Sequence, residues 1–167
     1  MSDQPTSAVQ ARARVTALAR AARICMLTTT ALDGRQVSRP MGLQEAEFDG
    51  ELWFFASADS AKVRQLRVNP EVNIAFSDQK HNAWVSISGT ATEGFDRARA
   101  EQLWNPLLKA WFPDGLDTPG LTLIKVHASS AEYWDSPSST VVNLLGYAKA
   151  AVTGRPPEVG ENREVAY

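Results

Sequence analysis

The chain has 167 residues, of which 44% are hydrophobic and 22% are charged, and its formal net charge is -2. This length suits one domain with a single core that buries roughly 70% of the unfolded surface, and the composition is that of an ordinary globular protein. The small negative charge offers no broad basic surface to nucleic acid. No apolar run approaches the roughly 18 residues that span a bilayer, and the polar first residues do not resemble a signal peptide.

The single cysteine, Cys25, lies in an apolar run and has no second cysteine with which to form an internal disulfide. Disulfides accumulate in oxidising compartments and are rare in the cytosol. We therefore expect a reduced compartment, and the cytoplasm is the simplest choice.

The pattern of apolar residues predicts a helix first and strands after it. Ser7 can cap a helix over residues 8–22 that carries an apolar stripe. A short helix is predicted over residues 60–68, and a second helical region begins at Asp96 and reaches Trp111. Turn dipeptides at Asp33-Gly34 and Asp49-Gly50 predict that the first three strands form an antiparallel meander. The predicted strands cover residues 24–30, 36–44, 51–55, 72–76, 83–91 and 121–127, the last extending toward residues 132–134.

Six antiparallel strands with few short helices predict a mainly β fold with peripheral helices. A small closed or nearly closed barrel is favoured, because closure removes vulnerable sheet edges. We expect residues 1–152 to form this single domain, with residues 140–152 apolar enough to dock as a last helix. Residues 153–167 are rich in Gly, Pro, Glu and Arg, and they predict a flexible C-terminal tail.

Most conventional catalytic motifs are missing from the sequence. It has no glycine-rich dinucleotide loop, Walker loop, paired-cysteine metal motif or helix with two histidines. The two histidines, His81 and His127, are far apart, so we expect no metal site. The serines have no general base nearby in the sequence, which makes hydrolase chemistry a poor candidate.

The segment from Phe54 to Leu66 combines an aromatic strand, small residues and the start of a helix. Such a junction offers an anion free backbone N–H groups, together with the Ser60 hydroxyl and the Lys62 ammonium. Alternatively, Asp59 or Ser60 caps the helix and Lys62 is solvated. A lysine is unfavourable near the positive end of a helix dipole unless an anion joins it.

Arg39 is a second candidate cation. In a regular strand it shares a face with Met41 and points toward the apolar side. A charge in that position needs an anionic partner. Pro40 cannot donate to a β-ladder, so it predicts a bulge or a sheet edge. The alternative is that a bulge turns Arg39 toward solvent or a carboxylate.

Several segments, in this order, resemble the general stress protein branch of the pyridoxamine 5'-phosphate oxidase-like proteins. They are Ser38-Arg39-Pro40-Met41, Leu52-Trp53-Phe54-Phe55-Ala56-Ser57, Ser60-x-Lys62-Val63, Asn69-Pro70, Trp84-Val85-Ser86-Ile87-Ser88-Gly89, Leu103-Trp104-Asn105-Pro106, Trp111-Phe112-Pro113 and Glu132-Tyr133-Trp134-Asp135. The resemblance covers roughly residues 22–137. It implies an FMN-binding split β-barrel that forms a homodimer, with two flavin sites between the subunits.

The resemblance also implies which residues bind the cofactor. Arg39 and Lys62 would hold the phosphate of FMN together with Ser60. The second subunit would approach the flavin through Trp84 and Trp134. The remaining implied contacts are Met41, Phe55 and Ala56 along the ribityl chain and ring, Gln44 where the oxidases proper place a lysine, Trp111 over the ring, and the neighbouring Pro40 and Ser57.

Two departures from the family pattern bear on activity. The oxidases proper grip their pyridoxal substrate with an Arg-x-His motif, but residues 135–142 contain neither Arg nor His, and Ala61 replaces an arginine that precedes the phosphate-binding lysine. The leading hypothesis is therefore a flavin-dependent oxidoreductase that acts on an unknown small substrate and does not oxidise vitamin B6. FAD stays open as the cofactor. The alternatives are a non-catalytic stress protein that stores or senses flavin, and haem binding through His127.

Overall fold

The computed structural model describes residues 8–44, 49–80, 82–135 and 161–167. Within these residues the chain forms three α-helices and seven β-strands. The helices are α1 (Ala8–Ala21), α2 (Ala61–Val68) and α3 (Arg97–Leu103). The strands are β1 (Ile24–Thr30), β2 (Gln36–Gly42), β3 (Glu51–Ser57), β4 (Glu71–Asp78), β5 (Ala83–Gly94), β6 (Leu121–Asp135) and β7 (Glu161–Ala166). Two short 3₁₀ turns, Pro106–Ala110 and Gly115–Asp117, lie between α3 and β6.

All strand pairs in the sheet are antiparallel, and the order is β2-β1-β4-β5-β6-β3, with β7 paired to β6. The predicted hairpin between β1 and β2 is confirmed, and Gly34 takes a positive φ of 86° in its turn. The predicted meander is wrong at its second step, because β3 pairs with β6 and not with β2. Among the described strands, β2 and β3 do not pair with each other, so the sheet is not closed and β2 lies at its edge, as Pro40 predicted.

The main core lies between the inner face of the sheet and two helices. Leu27, Ile74 and Ile87 occupy one row across β1, β4 and β5, and all three are fully buried. Val63 and Leu66 of α2 pack against the same core. Burial of side chains of this size typically contributes about 1.5–3 kcal/mol each, so this packing fixes α2 over the inner face.

A second apolar cluster lies on the other side of β3. Phe55 packs there with Leu103 and Leu123, and its ring makes an edge contact with Trp104 at a centroid distance of 5.5 Å. Because side chains alternate along a strand, Leu52, Phe54 and Ala56 of β3 face the main core while Phe55 faces this cluster.

The end of the chain differs from the predicted flexible tail. Residues 161–166 form β7, and Arg12 of α1 donates to the carbonyl oxygen of Ala166 from Nε at 3.1 Å and from Nη2 at 2.6 Å. The guanidinium of Arg12 also lies over the Tyr167 ring. Residues 153–160, the predicted helix over 140–152, the capping residue Ser7 and His81 lie outside the described residues. None of the helices in the described part is long and apolar enough to cross a membrane.

Candidate functional site

The N-terminus of α2 is open to an anion. Ser60 occupies the N-cap position, but its side chain does not bond to the first turn of the helix. The Asp59 carboxylate accepts a hydrogen bond from the Ser57 hydroxyl, which lowers the pKa of Asp59, and it accepts none from the described N–H groups of α2. The first N–H groups of α2 therefore lack a side-chain acceptor from either predicted capping residue, and they carry the positive end of the helix dipole.

The hydroxyl of Ser60 is buried and has no hydrogen-bond partner among the described residues. A buried hydroxyl normally finds a partner, since leaving it unpaired costs about 1–3 kcal/mol. Its position beside the first turn of α2 fits a group that supplies an acceptor oxygen from outside the chain.

Arg39 extends from the edge strand β2 toward α2 and bonds only neutral groups. Its Nη1 donates to the carbonyl oxygen of Leu27 at 3.2 Å and to Oγ1 of Thr29 at 2.6 Å, and its Nη2 donates to Oε1 of Gln65 at 3.1 Å. Burial lowers the pKa of Arg39. No ion pair joins Arg39 to a carboxylate in ranges 8–44, 49–80, 82–135 and 161–167. The guanidinium thus keeps its full charge in a partly buried position.

Lys62 lies in the first turn of α2, within range of the positive charge of this guanidinium. Burial lowers the pKa of Lys62 first, and the positive charge of Arg39 lowers it further. The described part of the chain gives the Lys62 ammonium no acceptor. Two cations that repel each other, a free hydroxyl and an open helix terminus therefore converge at one place, which is the arrangement that binds a phosphate dianion.

Other predicted cofactor contacts lie in the protein core. Met41 and Ala56 are buried in the main core, and the ring of Phe55 is packed into the second cluster. Pro40 pairs with Met26 on the exposed side of the sheet edge. Because the Phe55 ring is packed in this cluster, only the backbone of Phe55 is left to contact a ligand.

Gln44 and Trp111 line one cavity of about 750 Å³. Leu43 and Leu52 contribute to its apolar wall, and the Gln44 amide donates to the carbonyl oxygen of Gly42 at 3.3 Å. The volume lies within the 300–1,000 Å³ typical of small-molecule sites. The described lining contains none of the residues at the α2 terminus, so the predicted site residues form two separate groups.

Trp84 and Trp134 form a third group on the outer face of the sheet. They lie directly opposite each other on β5 and β6, and they are 43% and 37% exposed. Neither side chain belongs to either core cluster.

The structure also gives roles to Thr29 and Gln65, which the sequence reasoning missed. Thr29 is only 1% exposed, and its hydroxyl donates to Oε1 of Gln65 at 2.6 Å. Two signals could have identified them. Thr29 shares strand parity with the apolar residues Cys25 and Leu27, and Gln65 follows Lys62 by three residues on the helix.

The structure bears on the haem alternative through His127. The described part has no cluster of three or more His, Cys, Asp or Glu side chains that could hold a metal ion. The His127 side chain is 67% exposed and its Nδ1 lies 4.0 Å from a carboxylate oxygen of Glu51. An exposed imidazole beside a carboxylate does not provide the enclosed pocket in which an axial haem ligand lies.

Comparison with known proteins identifies the family. The model of the family described as pyridoxamine 5'-phosphate oxidase like matches residues 10–158. The chain belongs to this family. Protein bli-3 of Neurospora crassa is 32% identical over 150 residues, which cover 84% of this chain and 72% of that protein.

Crystal structures of relatives confirm the predicted split β-barrel. A general stress FMN/FAD binding protein from Xanthomonas citri is 36% identical, with a TM-score of 0.63 over 72% of this chain and 84% of that chain. A protein of Jannaschia sp. CCS1 that is named after general stress protein 26 is 22% identical, with a TM-score of 0.75 over 95% of this chain and 99% of that chain. The resemblance to the general stress branch of the oxidase-like family is therefore confirmed.

Proposed function

We propose that this protein binds FMN, with the flavin phosphate held at the N-terminus of α2 by Arg39, Ser60 and Lys62. The observation that carries the proposal is the pair of neighbouring cations without a carboxylate partner in the described chain, next to an unpartnered buried hydroxyl. Membership in the oxidase-like family and the FMN/FAD binding relative from Xanthomonas citri support a flavin as the ligand.

The residues present fit the phosphate end of such a cofactor. The hydroxyl of Ser60 lacks an acceptor, and a phosphate oxygen would supply one. Two positive charges match the dianion of a phosphate monoester, which carries close to two negative charges at neutral pH. A terminal monoester, as in FMN, matches this charge better than the singly charged phosphates of the diphosphate bridge in FAD.

Residues away from the phosphate would orient and shield the ring. The cavity at Gln44 and Trp111 is large enough for a flat ring system or a substrate beside it. The Gln44 amide can donate or accept a hydrogen bond there, and the exposed Trp111 indole can cover an apolar face. When bound, FMN supplies redox chemistry, and the protein supplies binding, orientation and exclusion of water.

We further propose that two copies of the chain pack through the outer face of the sheet. Met26, Ala75 and Ser86 lie in one cross-strand row on this face, and Trp84 with Trp134 forms a neighbouring pair. The side chains of Met26, Trp84 and Trp134 are large, apolar and exposed. Apolar groups clustered on an exposed sheet are typical of an interface. In the homodimer, the two tryptophans would approach the flavin site of the partner.

Two functions remain compatible with flavin binding. The first is a flavin-dependent oxidoreductase that acts on a small molecule in the cytoplasm. The second is a non-catalytic protein that stores or senses flavin, and the absence of Arg and His from residues 135–142 of the sequence favours it, because the oxidases proper use such residues to hold their substrate. Measurable reduction by NAD(P)H, or rapid reoxidation by a defined acceptor, would eliminate the second function.

An absorption spectrum tests whether the protein binds a flavin at all. The protein, purified from cells and then incubated with FMN and desalted, should retain the two visible absorption bands of an oxidised flavin. Mass spectrometry of the released ligand distinguishes FMN from FAD. A protein that retains no flavin after reloading would refute the proposed function.

A further inference from the structure

The guanidinium of Arg39 is held in a closed ring of hydrogen bonds. Nη1 of Arg39 donates to Oγ1 of Thr29 at 2.6 Å, and that hydroxyl donates in turn to Oε1 of Gln65 at 2.6 Å. The same Oε1 accepts a second hydrogen bond, from Nη2 of Arg39 at 3.1 Å. Each of the three side chains is hydrogen-bonded to the other two, so they fix one another in place.

This ring uses only part of the donor capacity of Arg39. A guanidinium has five N–H groups. Two N–H groups on Nη1 serve the carbonyl of Leu27 and the hydroxyl of Thr29, and one on Nη2 serves Gln65. Nε and the second N–H of Nη2 have no acceptor among the described residues. These two groups lie on the same edge of the guanidinium and point in parallel, which is the geometry that binds two oxygens of one phosphate.

The partners of Arg39 in this ring of hydrogen bonds are neutral, which preserves the positive charge of Arg39. A carboxylate at position 65 would orient Arg39 equally well, but it would form an ion pair and cancel the positive charge. The amide of Gln65 and the hydroxyl of Thr29 accept hydrogen bonds without that neutralisation. The charge of Arg39 therefore remains available, because all its acceptors in the described structure are neutral.

We propose that Gln65 is a positioning residue which, with Thr29, orients Arg39 so that the free edge of its guanidinium meets the ligand phosphate. This inference rests on the proposed function, because it assumes a phosphate at the α2 terminus. Gln65 acts through Arg39 and does not itself contact the phosphate.

The test compares dissociation constants for FMN and for riboflavin, which has the same ring and no phosphate, by quenching of flavin fluorescence. In Gln65→Leu the dissociation constant for FMN should rise about tenfold, the effect of losing roughly 1.4 kcal/mol from a hydrogen bond to a charged group, and that for riboflavin should not change. Gln65→Glu should weaken FMN binding more, because its carboxylate neutralises Arg39. It also keeps the acceptor, so it tests the idea if Gln65→Leu does not fold.

A double-mutant comparison shows whether Gln65 acts through Arg39. Once Arg39 is replaced in Arg39→Ala, adding Gln65→Leu should weaken FMN binding no further. Gln102→Leu is the matched control, because Gln102 accepts from Arg99 at 3.1 Å on α3, away from the α2 terminus. It should leave both dissociation constants unchanged.

The outcomes separate this inference from the proposed function. A wild-type protein that binds FMN no more tightly than riboflavin refutes the phosphate site itself. If the wild type prefers FMN but Gln65→Leu and Gln65→Glu retain that preference, only the positioning role is refuted. Equal losses for FMN and riboflavin, or fully additive effects of Gln65→Leu and Arg39→Ala, also overturn it.

Discussion

Burial lowers the pKa of the Lys62 ammonium, and Arg39 lies close enough for its positive charge to lower that pKa further. The two residues come from different elements, the first turn of α2 and the edge strand β2. Like charges repel each other, and an anion bound near both cations would relieve that repulsion. We therefore expect the two cations to lower the stability of the free protein and to raise its affinity for a phosphate.

Replacing Lys62 tests both expected effects, on FMN affinity and on the stability of the free protein. Lys62→Ala should weaken FMN binding by about 1–3 kcal/mol, the scale of a charge-assisted hydrogen bond, as measured by flavin fluorescence titration. The thermal midpoint of the flavin-free protein should not fall, because the substitution removes a like-charge repulsion and introduces a good helix former. Lys80→Ala, which changes an exposed lysine in the turn after β4, is the control and should alter neither value. Unchanged FMN affinity in Lys62→Ala would show that the Lys62 ammonium is merely solvated and does not bind the phosphate.

Ser60→Ala separates the hydroxyl from the two charges. The Ser60 hydroxyl makes no hydrogen bond in the described structure, so its loss should leave the thermal midpoint of the free protein unchanged or slightly raised. FMN binding should weaken by about 0.5–1.5 kcal/mol, the typical net contribution of one hydrogen bond. A drop in the midpoint without a change in FMN affinity would mean that Ser60 has a structural role instead.

The sequence predicted the proximity of Arg39 and Lys62 better than the positions of the other candidate residues. Strand parity was enough to turn Arg39 inward, and the helix start was enough to place Ser60 and Lys62 together. The neutral partners of Arg39 could not be predicted, because Thr29 and Gln65 meet only when β1 packs against α2. Such long-range contacts depend on the arrangement of the whole sheet, which local patterns do not encode.

The same limit explains the error in strand pairing. Turn residues at Asp49-Gly50 indicated a hairpin between β2 and β3, but β3 crosses to β6. A turn signal specifies that the chain reverses, not which strand it joins afterwards. The pairing of Trp84 with Trp134 similarly requires the register of β5 and β6, which contains a shift at Ser88 and Gly89.

The outer face of the sheet can be tested by its effect on assembly. Trp84→Glu places a charge in the centre of the proposed interface, where its desolvation opposes association. Light scattering should report a dimer for the wild type and a monomer for this variant. Phe95→Glu is matched to it, since Phe95 is similarly exposed at 45% and lies beyond the end of β5. A wild-type monomer that holds FMN tightly would rule out a site shared between subunits.

Gly89 is expected to be essential for the pairing of β5 with β6. A Cβ atom at this position would overlap the backbone carbonyl oxygen of His127. Gly89→Ala should therefore lower the free energy of unfolding by more than about 3 kcal/mol, the upper range for single substitutions. Gly94→Ala is the control, because a Cβ atom there meets nothing within 4 Å. Urea denaturation measures both, and equal stability of the two variants would contradict the close approach of these strands.

The comparison of FMN with riboflavin tests most directly whether the α2 terminus recognises the phosphate of a flavin. Both share the isoalloxazine ring and ribityl chain, so their dissociation constants differ only through the phosphate. Calorimetric titration of the wild-type protein should show at least about 100-fold tighter binding of FMN, since two charge-assisted hydrogen bonds contribute about 3–6 kcal/mol together. This preference should disappear in the double variant Arg39→Ala and Lys62→Ala. Equal affinity of the wild type for FMN and riboflavin would contradict the claim.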